Sequence, residues 1–112
     1  NDRKYCIIKL SPLCDTNLID NYYKQGFRQF HASNTLKTPY GGIIGKILIP
    51  YTNNLIKYLK KYNDIEIIAG GGIRYYNDIL NYQNLGADSF SVSTIFFNPF
   101  LALNLYVNYL IN

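Results

Sequence analysis

The chain is 112 residues long, with 48% apolar residues, 16% charged residues and a net charge of +4. That balance describes one globular domain spanning 1–112 with a modest core, and it excludes a disordered segment. Two cysteines, Cys6 and Cys14, make no disulfide framework, no second pair suggests a zinc site, and no run of about 18 apolar residues offers a membrane span. A reducing, cytoplasmic setting is the expectation. The positive charge sits in Arg3, Lys4, Lys57, Lys60 and Lys61 without a basic stripe interleaved with aromatics, so it reads as solvated surface and not as a nucleic-acid patch. The sequence holds no Met, which predicts a processed N-terminus or a piece of a longer protein.

Four short apolar runs are each followed by a helical pattern. The first is Tyr5-Cys6-Ile7-Ile8-Lys9-Leu10, stopped by Ser11-Pro12. A helix is predicted from Leu13 to Gln25, with cap candidates Asp15 and Thr16 and a stop at Gly26. The second run, Phe27 to Ser33, leads into a long glycine-containing loop from Asn34 to Gly45. Pro50-Tyr51-Thr52 opens the next helix, where Leu55, Leu59 and Tyr62 with Ile56 form the buried stripe and the lysines face away. The third run, Ile65-Glu66-Ile67-Ile68-Ala69, ends in Gly70-Gly71-Gly72 and is followed by a helix from about Tyr75 to Leu85, closed by Gly86. The fourth run is Ser89 to Ser93. Asn98, a good cap, and Pro99, suited to the first turn, then open a last helix with a predicted stripe of Phe100, Leu103, Val107 and Leu110.

Strands alternating with helices predict an α/β fold of four βα units with parallel strands, either an open doubly wound sheet or a barrel segment. Both place ligands at the carboxyl ends of the strands, here Lys9, Asn34, Gly70 and Ser93 onward. Glycines in the Gly70–Gly72 turn let the backbone approach an anion; the alternative is a tight turn that binds nothing. Its pattern is not the spaced glycine motif of a dinucleotide fold. Ser93-Thr94 adds hydroxyls on the next unit, and two phosphate-competent turns in succession favour the last two units of a phosphate-binding barrel. Lys9 is a charge at a strand end, either used by a ligand or snorkelling to water. Asn34 and Thr35 suit a planar polar ligand, or an Asx-type turn. His31 reads as a core histidine bonded to the backbone, Cys6 as a buried strand thiol and Cys14 as a loop thiol with no adjacent base.

Taken together, six segments resemble the C-terminal half of dihydroorotate dehydrogenase, a flavin-dependent TIM barrel. They are Ile8-Lys9-Leu10-Ser11-Pro12, Ala32-Ser33-Asn34-Thr35-Leu36, Gly41-Gly42-Ile43-Ile44-Gly45, Gly70-Gly71-Gly72-Ile73, Gly86-Ala87-Asp88 and Val92-Ser93-Thr94 with Asn98-Pro99. The resemblance implies the C-terminal half of a (β/α)8 barrel that binds FMN and oxidises dihydroorotate to orotate in pyrimidine biosynthesis. It casts Lys9, Thr35, Gly41 and Gly42 as flavin contacts, Gly71, Gly72, Ser93 and Thr94 as the phosphate site, and Asn34 as a substrate ligand. It places no catalytic residue in this chain, because the base lies in the other half, and it calls for no metal. Two positions depart from the family pattern: Ile44 stands where Ser is usual, and Ser93 where Gly is usual. Four units leave open sheet edges, which predicts pairing with an N-terminal half or a second chain, and an inactive segment when alone. The other reading is a catalytically inactive half-barrel that serves as a phosphate- or flavin-binding or assembly module.

Overall fold

The computed structural model describes residues 2–33, 36–38, 41–43, 46–73, 75–92 and 99–111. A 3-10 turn over Asp2–Tyr5 leads into β1 (Ile7–Leu10), and then come α1 (Thr16–Lys24), β2 (Gln29–Ala32), and a hairpin of β3 (Leu36–Thr38) and β4 (Gly41–Ile43). They are followed by α2 (Ile49–Leu59), β5 (Glu66–Gly70), α3 (Tyr76–Leu85), β6 (Ser89–Ser91) and α4 (Pro99–Ile111). At α1, α2 and α3 the helix ends are those the sequence predicts. Asp15 accepts from Asn17 N–H at 2.9 Å to start α1, Pro50 sits in the first turn of α2, and α3 closes on Gly86. Asp78 accepts from the Tyr75 N–H and so fixes the entry of α3. The hairpin lies in the segment expected to be loop.

The main sheet has the order β1-β2-β5-β6, and all three pairings are parallel. A doubly wound sheet reverses its strand order at a switch point. None occurs here: each strand adds beside its predecessor, which is the order of a barrel arc. Right-handed crossovers then put the helices on one face.

Alternation sorts the strand residues onto two faces. The cross-strand row Ile8, Phe30, Ile67 and the row Leu10, Ala32, Ala69, Phe90 meet the helices. There Leu10, Phe30, Ala32, Ile67 and Ala69 are buried together with Ile19, Leu55, Ile56, Leu59, Ile79 and Tyr82 from the helices. The opposite face carries Ile7 and Gln29 with Glu66, and then Lys9, His31, Ile68 and Ser89. Its exposure is uneven: Ile7 is 50% exposed and Lys9 and Glu66 are exposed, whereas both His31 ring nitrogens are shielded from solvent. In a complete barrel this is the inward face.

Two expectations change. Leu103, Val107 and Leu110 of α4 are exposed, and Leu105 is the buried residue among its described side chains; the side chain of Phe100 and the cap Asn98 lie outside the described residues. The helix has no charged residue, so its pattern selects no face. Cys6 precedes β1 and is exposed, not buried in a strand. Cys14 is half-buried, and burial together with the Asp15 charge pushes its thiol up, away from reactivity.

Helices α1 and α2 are clamped at the end of the sheet where the strands begin. Asp20 accepts from the hydroxyls of Tyr58 (2.7 Å) and Tyr62 and pairs with Lys61 Nζ at 2.8 Å. The Tyr23 ring stacks on Tyr62 at 3.9 Å, and Arg28 lies over Tyr23 and pairs with Asp64. These bonds hold the Asp20 carboxyl well below the usual carboxylate range, the Lys61 ammonium first among them. A depressed carboxylate stabilises the fold above its unfolded pKa of about 3.9, and that contribution is lost as pH falls through the folded value. The thermal midpoint is therefore expected to drop below about pH 4, and Asp20→Asn is expected to flatten that drop in pH-dependent melting curves. An unchanged acid profile in the variant would show the clamp to be without effect.

Candidate functional site

Strand carboxyl ends and the loops after them form one rim of a parallel sheet, where ligands of such folds sit. On this rim stand Lys9, Ser33, the Gly70–Gly72 turn and Val92. The turn has φ of +104° at Gly71 and +76° at Gly72, a backbone region that side chains rarely adopt.

Hydroxyls hold this turn from behind. Thr52 of α2, fully buried, donates to the Gly70 carbonyl at 3.0 Å and shares a 2.9 Å bond with Ser33 Oγ. The Ser33 N–H reaches the same carbonyl at 3.1 Å. Tyr82 of α3, also buried, donates to the Gly71 carbonyl. Burial pushes its phenol up to about 12, so it stays a neutral donor. In a trans peptide the N–H points opposite to the C=O. With the Gly71 carbonyl held toward α3, the Gly72 N–H is aimed away from it, as an anion-binding turn requires.

Thr52 and Tyr82 are site-supporting residues that sequence reasoning passes over. The signal for Thr52 is its place as the one polar residue of the stripe Thr52, Leu55, Ile56, Leu59. A hydroxyl on an apolar stripe needs a buried partner. Tyr82 carries no comparable signal.

Lys9 is exposed on the inward face, one strand away from His31 at the same level. Gly41 and Gly42 fall in β4, paired with Thr38 and Lys37 in the separate hairpin that follows β2. Asn34, Thr35, Ser93 and Thr94 lie outside the described residues. The structure thus brings Lys9, Gly71 and Gly72 to one rim. His31 departs from expectation: neither ring nitrogen has a hydrogen-bond partner among the described residues, so it is not a backbone-bonded core histidine. Strand polar groups on its level are spent on the sheet ladder, which leaves the ring unserved. Among the described residues no cluster of three metal-ligating side chains exists, and no helix is long and apolar enough to cross a membrane.

No protein-family model matches the chain. It is 35% identical over 60 residues to the catalytic subunit of dihydroorotate dehydrogenase B (NAD(+)) from Staphylococcus carnosus, a match covering 53% of this chain and 20% of that protein. The corresponding subunit from Listeria monocytogenes is 32% identical over 62 residues, covering 54% and 20%. Among solved structures, the dihydroorotate dehydrogenase of Eimeria tenella in complex with ferulenol superposes with a TM-score of 0.75 at 20% identity, over 88% of this chain and 31% of that one. Its ligand-free form gives 0.73 at 22% identity, over 88% and 33%. The chain therefore spans about a fifth of the curated relatives and about a third of the solved chains it matches. In sequence over half its length, and in fold over most of it, this chain resembles the dihydroorotate dehydrogenases, as an arc of four parallel βα units from a TIM barrel of that kind.

Proposed function

We propose that this chain is the C-terminal, FMN-phosphate-binding half of a dihydroorotate dehydrogenase-type barrel that oxidises dihydroorotate to orotate. The observation that carries this reading is the Gly70–Gly72 turn. It ends a central strand, takes positive φ at two glycines, and is fixed by Thr52 and Tyr82 so that the Gly72 amide faces away from the helices. The residues fit a flavin phosphate, because glycine leaves the backbone open to an anion while buried hydroxyls keep the turn from collapsing. Gly71 and Gly72 would hold the phosphate together with Ser93 and Thr94, and Gly41 and Gly42 would line the ribityl side. Lys9 would stand at the pyrimidine edge of the flavin, Thr35 beside it, and Asn34 against the orotate ring.

When bound, FMN supplies the hydride acceptor. The chain's own part is to fix the cofactor and to place the Lys9 ammonium where negative charge grows on reduction. The base that takes the second proton belongs to the remaining units of the barrel.

A second reading, a non-catalytic binding or assembly module, is favoured by the exposed Ile7 on the inward face and by the exposed Leu103, Tyr106, Leu110 and Ile111 of α4. The visible spectrum separates the two. Protein refolded with FMN and freed of excess is expected to keep the flavin absorbance, and dihydroorotate is expected to bleach it once the barrel is complete. Lys9→Ala is expected to slow that bleaching about tenfold or more, the loss of one charge contact of about 1.5–3 kcal/mol. A colourless protein would sink the flavoprotein reading. Flavin retention with a Lys9→Ala variant that reduces normally would remove Lys9 from the site.

A further inference from the structure

His31 lies on the inward face of β2, level with Lys9 on β1 and Ile68 on β5. Its ring leans toward the strand carboxyl ends, because a methyl group on Gly70 would come within 2.8 Å of His31 Nε2. The same methyl would lie 3.2 Å from the Ser91 carbonyl oxygen, so the ring sits over Gly70 beside β6. Gly70 is therefore the residue that admits the imidazole at this level.

Both ring nitrogens are shielded from solvent, and neither has a partner among the described residues. A buried donor and acceptor left without partners are unfavourable and call for an explanation. Burial, and next the Lys9 ammonium, hold the ring's pKa below its ordinary value, which keeps it neutral. A neutral imidazole has one N–H donor and one bare acceptor. The two nitrogens point apart, so one of them at a time meets a heterocycle edge on which N–H and C=O alternate: the N–H donates to a C=O, or the bare nitrogen accepts from an N–H.

We propose that His31 is a ligand-contacting residue of this site, forming its floor beside Lys9 and hydrogen-bonding the edge of a planar heterocycle that carries adjacent N–H and C=O groups. The inference rests on the flavoprotein reading and deepens it. That edge occurs in the pyrimidine ring of a flavin and in orotate, and the two sources are separable by titration.

His31 is the single histidine of the chain, so 15N labelling of histidine gives one unambiguous pair of ring signals. FMN and orotate are added separately to the labelled protein. Movement of the ring signals at saturation with FMN assigns the contact to the flavin, and movement only with orotate assigns it to the substrate. Flavin that is retained in the absorbance spectrum while neither ligand moves the ring signals overturns the inference and leaves the flavoprotein reading standing. A protein that binds no flavin is colourless; the flavoprotein reading then fails, and the orotate titration alone decides His31. Substitution gives a second readout. His31→Leu is expected to weaken binding of the assigned ligand about tenfold, with the thermal midpoint kept, and His31→Gln, which retains a donor and an acceptor, is expected to restore most of it. Equal affinity in wild type and His31→Leu overturns the inference, and the NMR titration stands without any substitution.

Discussion

Phe30→Ala is expected to remove most of the net stability of this chain. Phe30 is fully buried and is flanked in its cross-strand row by Ile8 and Ile67, at the centre of the layer that meets the helices. Truncating a buried Phe costs about 3–5 kcal/mol, the transfer loss plus the cavity left behind. A domain of this size has a net stability of about 5–15 kcal/mol, and one whose sheet leaves apolar residues such as Ile7 exposed on its second face stands at the low end. The urea midpoint is expected to fall steeply, or the cooperative transition to disappear. Ile7→Ala is the matched comparison, an aliphatic truncation on the same sheet but on the open face, where the side chain is 50% exposed. Its expected cost is about 1 kcal/mol or less. Equal losses in the two variants would mean that the inward face is covered in solution.

That contrast also shows what the sequence could and could not disclose. The order of strands and helices was legible because each apolar run is bounded by Pro, Gly or a cap, as at Asp15, Pro50 and Gly86. Burial is legible only where one face dominates: Leu55, Ile56 and Leu59 of the predicted stripe are buried in α2, with Tyr62 half-buried just past the helix end, whereas α4 is mostly apolar, with no charged residue to mark its buried face. The hairpin is not legible because its strands are only three residues long and one of them, Gly41–Ile43, is rich in glycine, which has little strand preference. At the site, the glycine turn announced itself through backbone chemistry. Its support did not, because Thr52 and Tyr82 act from two different helices and their partners are carbonyls, which leave no mark in sequence. His31 needs the sheet register and the burial of its ring nitrogens to show that it lacks a partner, and neither is local information.

Gly71→Ala is expected to weaken both the fold and flavin binding, and a comparison with Gly86→Ala separates the two effects. Both glycines take a strained φ for a side chain, +104° at Gly71 and +113° at Gly86. The backbone cost of about 1–3 kcal/mol is therefore shared. Their surroundings differ. At Gly86 the new methyl meets only the flexible end of the Lys60 side chain, which can swing away. At Gly71 it comes within 3.2 Å of Thr52 Oγ1 and 3.3 Å of Leu48 Cβ, both buried and fixed. Relief there requires the turn to shift, and a shift carries the Gly72 amide with it. Calorimetry of both variants is expected to show similar destabilisation, somewhat larger for Gly71→Ala. FMN affinity is expected to fall about tenfold or more in Gly71→Ala, one lost charge-assisted hydrogen bond, and to stay near wild type in Gly86→Ala. An equal effect on flavin in both variants would reduce the triple glycine to a tight turn and remove it from the phosphate site.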